Sequence, residues 1–193
     1  LDIDGATDIG AAIADADLFV VDDGAGGTNR KTTASRLKTY IGAGLNSPMF
    51  TAFYGGSGVN IDDATTTKAT FPTEFVDIGG VYNNSTYRFT PGFIGKSFIS
   101  AGVGFYSANS QLQDVFLYFY KNGSQFSTMK DNPSGDAAQV WMTMNLIVDH
   151  DADDYYEVYL RANTSNGSQI EVPASSGSTS TQWNYFQGFK LIT

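Results

Sequence analysis

The segment from Gly79 to Ala101 constrains this chain more than any other. It reads Gly79-Gly80-Val81-Tyr82-Asn83-Asn84-Ser85-Thr86-Tyr87-Arg88-Phe89-Thr90-Pro91 and resumes at Gly95-Lys96-Ser97-Phe98-Ile99-Ser100-Ala101. Asn and Ser favour a turn, and the turn feeds a short aromatic run. Pro91-Gly92 then stops that run, because proline brings no N–H to a sheet ladder. An alternating run begins at once, so the spacing predicts a hairpin of short strands.

The same period of two recurs downstream. Val140, Met142, Met144, Leu146 and Val148 share one face of a strand, with Trp141, Thr143, Asn145 and Ile147 on the other. Tyr156, Val158, Leu160 and Ala162 alternate against Tyr155, Glu157, Tyr159 and Arg161. Several such strands separated by turns predict an all-β antiparallel sandwich and exclude a helical bundle. Val115 to Tyr120 is apolar or aromatic on both faces, and a second apolar face implies a partner.

In front of this region the chain divides near Gly42 to Ser47, giving a small module over 1–44 and a sandwich over 45–193. Leu18-Phe19-Val20-Val21 runs through a glycine-rich turn into Thr28-Asn29-Arg30-Lys31-Thr32, a hairpin pattern. Thr33 can cap a short helix carrying Ala34, Leu37 and Ile41 on one face and Arg36 and Lys38 outward, with Gly42 or Gly44 as the stop. About 40 residues supply too little core for independent stability, so the module should dock on something.

Two resemblances attach to these residues. Met49 to Phe53, Ala69 to Asp77, the Gly79–Ala101 segment, Val115 to Gly123, Tyr155 to Arg161 and Phe186 to Ile192 resemble, in order, the strands of the C1q and tumour-necrosis-factor superfamily head. The resemblance implies a jelly-roll β-sandwich that assembles as a homotrimer. It makes Phe116, Tyr118 and Tyr120, or their alternates Leu117 and Phe119, the candidate subunit contact. Ser97 stands where the family has a tyrosine, which implies altered packing there. Asp15 to Ile41 resembles a module of tailed-bacteriophage tail and fibre proteins. Together the two imply a virion protein, a fibre, spike or decoration subunit, whose anchoring residues are Leu18, Phe19, Val20, Val21, Leu37, Tyr40 and Ile41. Its expected partners are itself, other virion proteins, and a host-surface glycan or protein.

Composition narrows the partners. A net charge of −9 with no basic patch argues against nucleic acid, and a charged content of only 16% leaves a polar, uncharged surface suited to protein or glycan contact. No apolar run approaches the roughly 18 residues of a membrane helix, and no signal-peptide core opens the chain, so no membrane insertion is expected. Cysteine is absent.

Signals for chemistry are sparse. Asp149, Asp151 and Asp153 offer hard oxygens at alternate positions suited to Ca²⁺. The run fails the EF-hand pattern, with Asp154 at the glycine position and Leu160 at the glutamate position, so a solvated turn is preferred and no cofactor is expected. His150 reads as a polar residue of the same loop. No Gly-x-Ser-x-Gly elbow marks a nucleophile, and the glycine clusters lack phosphate-loop spacing. Asp62 with Asp63, or Glu74 with Asp77, supply carboxylate pairs for glycoside hydrolysis, the basis of a polysaccharide depolymerase reading that ranks below a non-enzymatic one. Trp183 and Tyr185, beside Gln and Asn, are candidates for sugar stacking and support the alternative of a carbohydrate-binding module.

Overall fold

The computed structural model describes residues 10–22, 26, 29–40, 46–55, 58–133, 135–173 and 184–191. The chain forms two compact units, Leu1–Leu45 and Asn46–Thr193.

In the first unit, β1 (Leu18–Asp22) pairs antiparallel with β2 (Asn29–Thr33), Leu18 opposite Thr33 and Asp22 opposite Asn29. Helix α1 (Ala34–Tyr40) follows without a break. The Thr33 hydroxyl accepts the Arg36 N–H at 3.4 Å, the contact an N-cap makes with the third helical residue. The Ala34 N–H donates to the Asp17 carbonyl at 2.8 Å, tying the helix start to the entry of β1. No residue of β1, β2 or α1 is buried. The expected stop at Gly42 or Gly44, and Ile41 with it, lie outside the described residues.

The second unit is a sandwich of two antiparallel sheets. Six short strands come first: β3 (Met49–Phe53), β4 (Val59–Ile61), β5 (Thr67–Lys68), β6 (Thr73–Ile78), β7 (Tyr82–Asn83) and β8 (Arg88–Phe89). Longer strands follow as β9 (Gly95–Tyr106), β10 (Leu112–Lys121), β11 (Ser124–Asp131), β12 (Gln139–His150) and β13 (Tyr156–Thr164), then β14 (Ile170–Val172) and β15 (Tyr185–Lys190). The six-stranded sheet runs β11-β10-β13-β8-β7, with β5 also on β13. The seven-stranded sheet runs β4-β14-β9-β15-β3-β6, with β12 also on β9.

The predicted hairpin around Pro91-Gly92 is a crossover instead. β8 pairs with β7 and β13, whereas β9 pairs with β12, β14 and β15 in the other sheet. Glycines 92 and 95 sit at positive φ, 75° and 152°, which lets the chain turn out of one layer and into the other. The true tight hairpin is β10-Asn122-Gly123-β11. Its two central residues have φ of 53° and 77°, the left-handed pair that matches strand twist.

The core between the sheets is aromatic. Phe50 stacks on Tyr82 at 4.8 Å and on Phe89 at 4.7 Å, and meets Phe186 edge-on at 4.8 Å. Gly188 makes this possible: a Cβ there would lie 3.0 Å from the Phe50 ring and 3.1 Å from the Phe98 carbonyl oxygen. The alternating residues of β12 and β13 fall as their pattern predicts, with Val140, Met142, Met144 and Val148, and Tyr156, Val158, Leu160 and Ala162, turned into the core.

Candidate interaction surface

Strand β10 divides its residues by parity. Leu117 and Phe119 are wholly buried in the core, so the alternative that made them a subunit contact is corrected. Phe116, Tyr118 and Tyr120 occupy the opposite, outward face of the six-stranded sheet, and that face covers itself. Phe116 lies parallel to Tyr118 at 5.9 Å, beneath Lys130 at 5.3 Å and Arg161 at 5.6 Å. Tyr120 stacks on Tyr159 at 4.1 Å. Glu157 sits beside them, buried on a face where its alternation predicts exposure. Its carboxylate takes Lys68 Nζ at 2.6 Å and Arg88 Nε at 2.8 Å, and Arg88 in turn lies 4.0 Å over the Tyr155 ring. Burial would push the Glu157 carboxyl up, yet the Lys68 and Arg88 hydrogen bonds outweigh it and hold the group below the usual range.

The outward face of the seven-stranded sheet differs. Pairing registers place Trp141 beside Gly104 and Ile147 beside Phe98 on one side, and Met49 beside Ile78 on the other. Phe75 is 62% exposed, Ile78 50%, Trp141 44% and Ile147 67%. Between them run two ring pairs, Phe53 with Phe75 at 5.8 Å and Phe98 with Phe189 at 5.2 Å. Two glycines hold rings flat on this surface. A Cβ on Gly104 would fall 2.3 Å from the Trp141 ring, and one on Gly102 would fall 2.4 Å from the Tyr185 ring. Tyr185 therefore lies on this sheet, half-buried, with its hydroxyl 3.4 Å from Ser100 Oγ. Trp183, its expected partner in sugar stacking, lies outside the described residues.

The acidic run behaves as a staple between strands. Asp149 pairs with Lys96 at 2.9 Å, and Asp154 pairs with Lys121 at 2.7 Å while accepting the Asp151 N–H at 2.8 Å. Lys121 leads the contacts that hold the Asp154 carboxyl down to about 2. Asp149, Asp151 and Asp153 do not converge: among the described residues no group of three His, Cys, Asp or Glu side chains could hold a metal. His150 is not a loop residue. It ends β12, is buried, and places Nε2 2.8 Å from Ser97 Oγ and Nδ1 3.0 Å from the Phe93 carbonyl oxygen. An imidazole that donates from Nδ1 to that carbonyl accepts the Ser97 hydroxyl at Nε2. Ser97, unusual in the sequence, thus has a buried partner 53 residues away.

Three carboxylates of the candidate pairs, Asp62, Asp63 and Asp77, are engaged in hydrogen bonds. Asp77 accepts the N–H groups of Val81 and Tyr82 at 2.9 and 3.3 Å, Asp63 takes the Thr164 N–H at 2.6 Å, and Asp62 takes Gln169 at 2.7 Å. Each ties a turn. Of the anchoring candidates, Leu18, Val20, Val21 and Tyr40 are exposed, and Phe19 and Leu37 are half-buried. No helix among the described residues is long and apolar enough to cross a membrane.

No protein-family model matches the sequence, and no curated protein matches it either. No comparison supports the phage-type assignment of the N-terminal module. Solved structures do match. The globular domain of zebrafish complement 1qA protein aligns with a TM-score of 0.52 at 10% identity, covering 76% of this chain and 98% of that one. Murine APRIL aligns with a TM-score of 0.52 at 11% identity, covering 74% and 98%. With two antiparallel sheets packed as a sandwich and these structures as neighbours, the fold of residues 46–193 is a C1q/TNF-like jelly roll.

Proposed function

We propose that this protein is a non-enzymatic binding protein that works as a homotrimer, with the outward face of the seven-stranded sheet as its subunit seam. The observation that carries the reading is the exposed apolar surface of Phe75, Ile78 and Ile147. Large apolar side chains gathered on one sheet face favour a protein partner over water. A second copy is the occupant this fold supplies, and three copies multiply weak contacts of the head with a surface through avidity.

The finer reading is a bacteriophage appendage: a fibre, spike or decoration subunit on the virion surface, anchored by residues 1–44 and presenting the head to a host glycan or protein. Its support is the pairing of a head of this fold with an N-terminal module whose hairpin strands and helix bury no residue. The solution mass of the purified chain tests the first reading. Three times 20.8 kDa is expected, and a single-chain mass overturns the seam. Competition by purified protein against particle adsorption tests the second. Blocked adsorption supports host attachment, whereas particles that lack the protein, still infect, and break more easily on heating assign it to decoration.

A further inference from the structure

The end of the sandwich where β3 begins and β15 finishes holds a cavity of about 480 Å³. That lies inside the range of about 300–1,000 Å³ typical of small-ligand sites. Two turns wall it, Gly79-Gly80 between β6 and β7 and Pro91-Gly92 between β8 and β9. Gly80 and Gly92 have φ of 63° and 75°, a backbone that favours glycine. A Cβ on either would meet no described residue within 4 Å, so a ligand can approach the peptide groups of both turns. Pro48, Val81, Pro91 and Phe93 supply apolar wall, and Ser47 and Thr90 bring hydroxyls. Among the described residues that line the cavity, Lys190 alone is ionised.

Lys190 differs from the other lysines of this unit. Lys68, Lys96, Lys121 and Lys130 each lie 2.6 to 2.9 Å from a carboxylate. Lys190 has no carboxylate partner among the described residues, and its Nζ lies 4.8 Å over the Phe93 ring. That ring is held in place, because it meets the His150 imidazole edge-on at 4.8 Å and the Phe93 carbonyl oxygen lies 3.0 Å from His150 Nδ1. The Lys190 main chain is fixed as well, its N–H donating to the Pro48 carbonyl at 3.0 Å. The ammonium is therefore positioned before any ligand arrives, which lowers the ordering cost of binding.

We infer that this cavity binds an acidic sugar residue, with its carboxylate on Lys190 Nζ and its hydroxyls on the turn peptide groups, Ser47 and Thr90. A single ammonium balances a single carboxylate, whereas a phosphate dianion calls for clustered cations or a guanidinium fork. Apolar walls interleaved with hydroxyls and peptide groups suit a ring that has C–H faces and hydroxyl edges. The net charge of −9 repels anions at a distance, but it is screened beyond about 8 Å at physiological salt, which leaves the contact with Lys190 to decide. The assignment rests on the reading of the head as a module for a host glycan and is independent of the trimer seam.

Ligand-observed NMR titration of the full chain with methyl glucuronide, methyl glucoside and N-acetylphenylalanine tests it. The glucuronide should bind saturably and about tenfold more tightly than the neutral glucoside, the fold-change of one charge-assisted hydrogen bond. Lys190→Gln should remove that preference, Lys190→Arg should keep most of it, and Lys130→Gln, on the other sheet, should change nothing. No saturable glucuronide binding, equal binding of the glucoside, or indifference to Lys190→Gln overturns the inference. Tighter binding of N-acetylphenylalanine with the same dependence on Lys190 also overturns it and assigns the cavity to chain-terminal carboxylates. Blocked adsorption without glucuronide binding sinks the acidic-sugar site alone. Glucuronide binding without blocked adsorption supports the site and sinks host attachment instead.

Discussion

The outward faces of the two sheets are built from similar residues and end in opposite conditions. On the six-stranded sheet Phe116, Tyr118 and Tyr120 are roofed by Lys130, Arg161 and Tyr159, and Glu157 locks two cations among them. On the seven-stranded sheet Phe75, Ile78 and Ile147 have no such roof among the described residues and stand half or more exposed. An aromatic strand therefore does not by itself leave an open apolar face. What distinguishes the two is whether long polar side chains on the neighbouring strands reach back over the rings.

The sharpest way to break this comparison is to charge the bare face. Ile147→Asp together with Phe75→Asp should convert three times 20.8 kDa to a single-chain mass without unfolding the head, because both side chains are mostly exposed. Sedimentation and a thermal melt read the two effects separately. If the trimer survives, the seam lies elsewhere.

Glu157→Gln attacks the covered face and should leave the mass unchanged. Removing one partner of a fully buried pair costs about 3–5 kcal/mol, but Lys68 and Arg88 keep 27% and 39% of their side chains in solvent, so about 2 kcal/mol is expected in denaturant unfolding. A change in assembly state with no change in stability would reverse the roles given to the two faces.

Gly104→Ala tests the ring geometry of the seam. A new Cβ 2.3 Å from the Trp141 ring forces the indole off the sheet, which should cost about 1–3 kcal/mol and weaken assembly at low concentration. Analytical dilution against the parent chain would show it.

Acid should act on the polar cover and its staple. The folded carboxyls of Glu157 and Asp154 both lie below their unfolded values, Asp154 at about 2, so the unfolded chain binds protons first. Their contribution is complete above the ordinary carboxylate range and is lost as pH falls towards about 2. Melts from pH 7 to 5 should show no change from this source, with a decline below about pH 4, and Glu157→Gln should flatten part of that decline. The smallest effect is expected for Tyr120→Ser, which removes one stacked ring from the covered face. About 1 kcal/mol of stability and no change in mass should follow.

Much of the fold was legible because alternation reports burial directly. Every second residue of β12 and of β13 reaches the core in the order the sequence implies, and the Asn122-Gly123 turn sits where its residue types require. The hairpin and capped helix of the first unit were equally readable from local chemistry. The seam was not. Thr143, Asn145 and Gln187 interrupt the apolar positions along β12 and β15, so the exposed patch forms only when β6, β3, β15, β9 and β12 lie side by side. Likewise nothing near His150 in the chain names Ser97, which reaches it only across the β9–β12 ladder.

The sequence by itself determined which residues are strands, which of their faces are apolar, and where turns must fall, since these depend on backbone sterics and on a period of two within a few residues. Tertiary structure alone decided which apolar face is covered and which is left bare. That outcome depends on the side chains a neighbouring strand brings over the rings, and strand neighbours here come from parts of the chain as far apart as β3 and β15, whose pairing is set by packing of the whole core and not by any local signal.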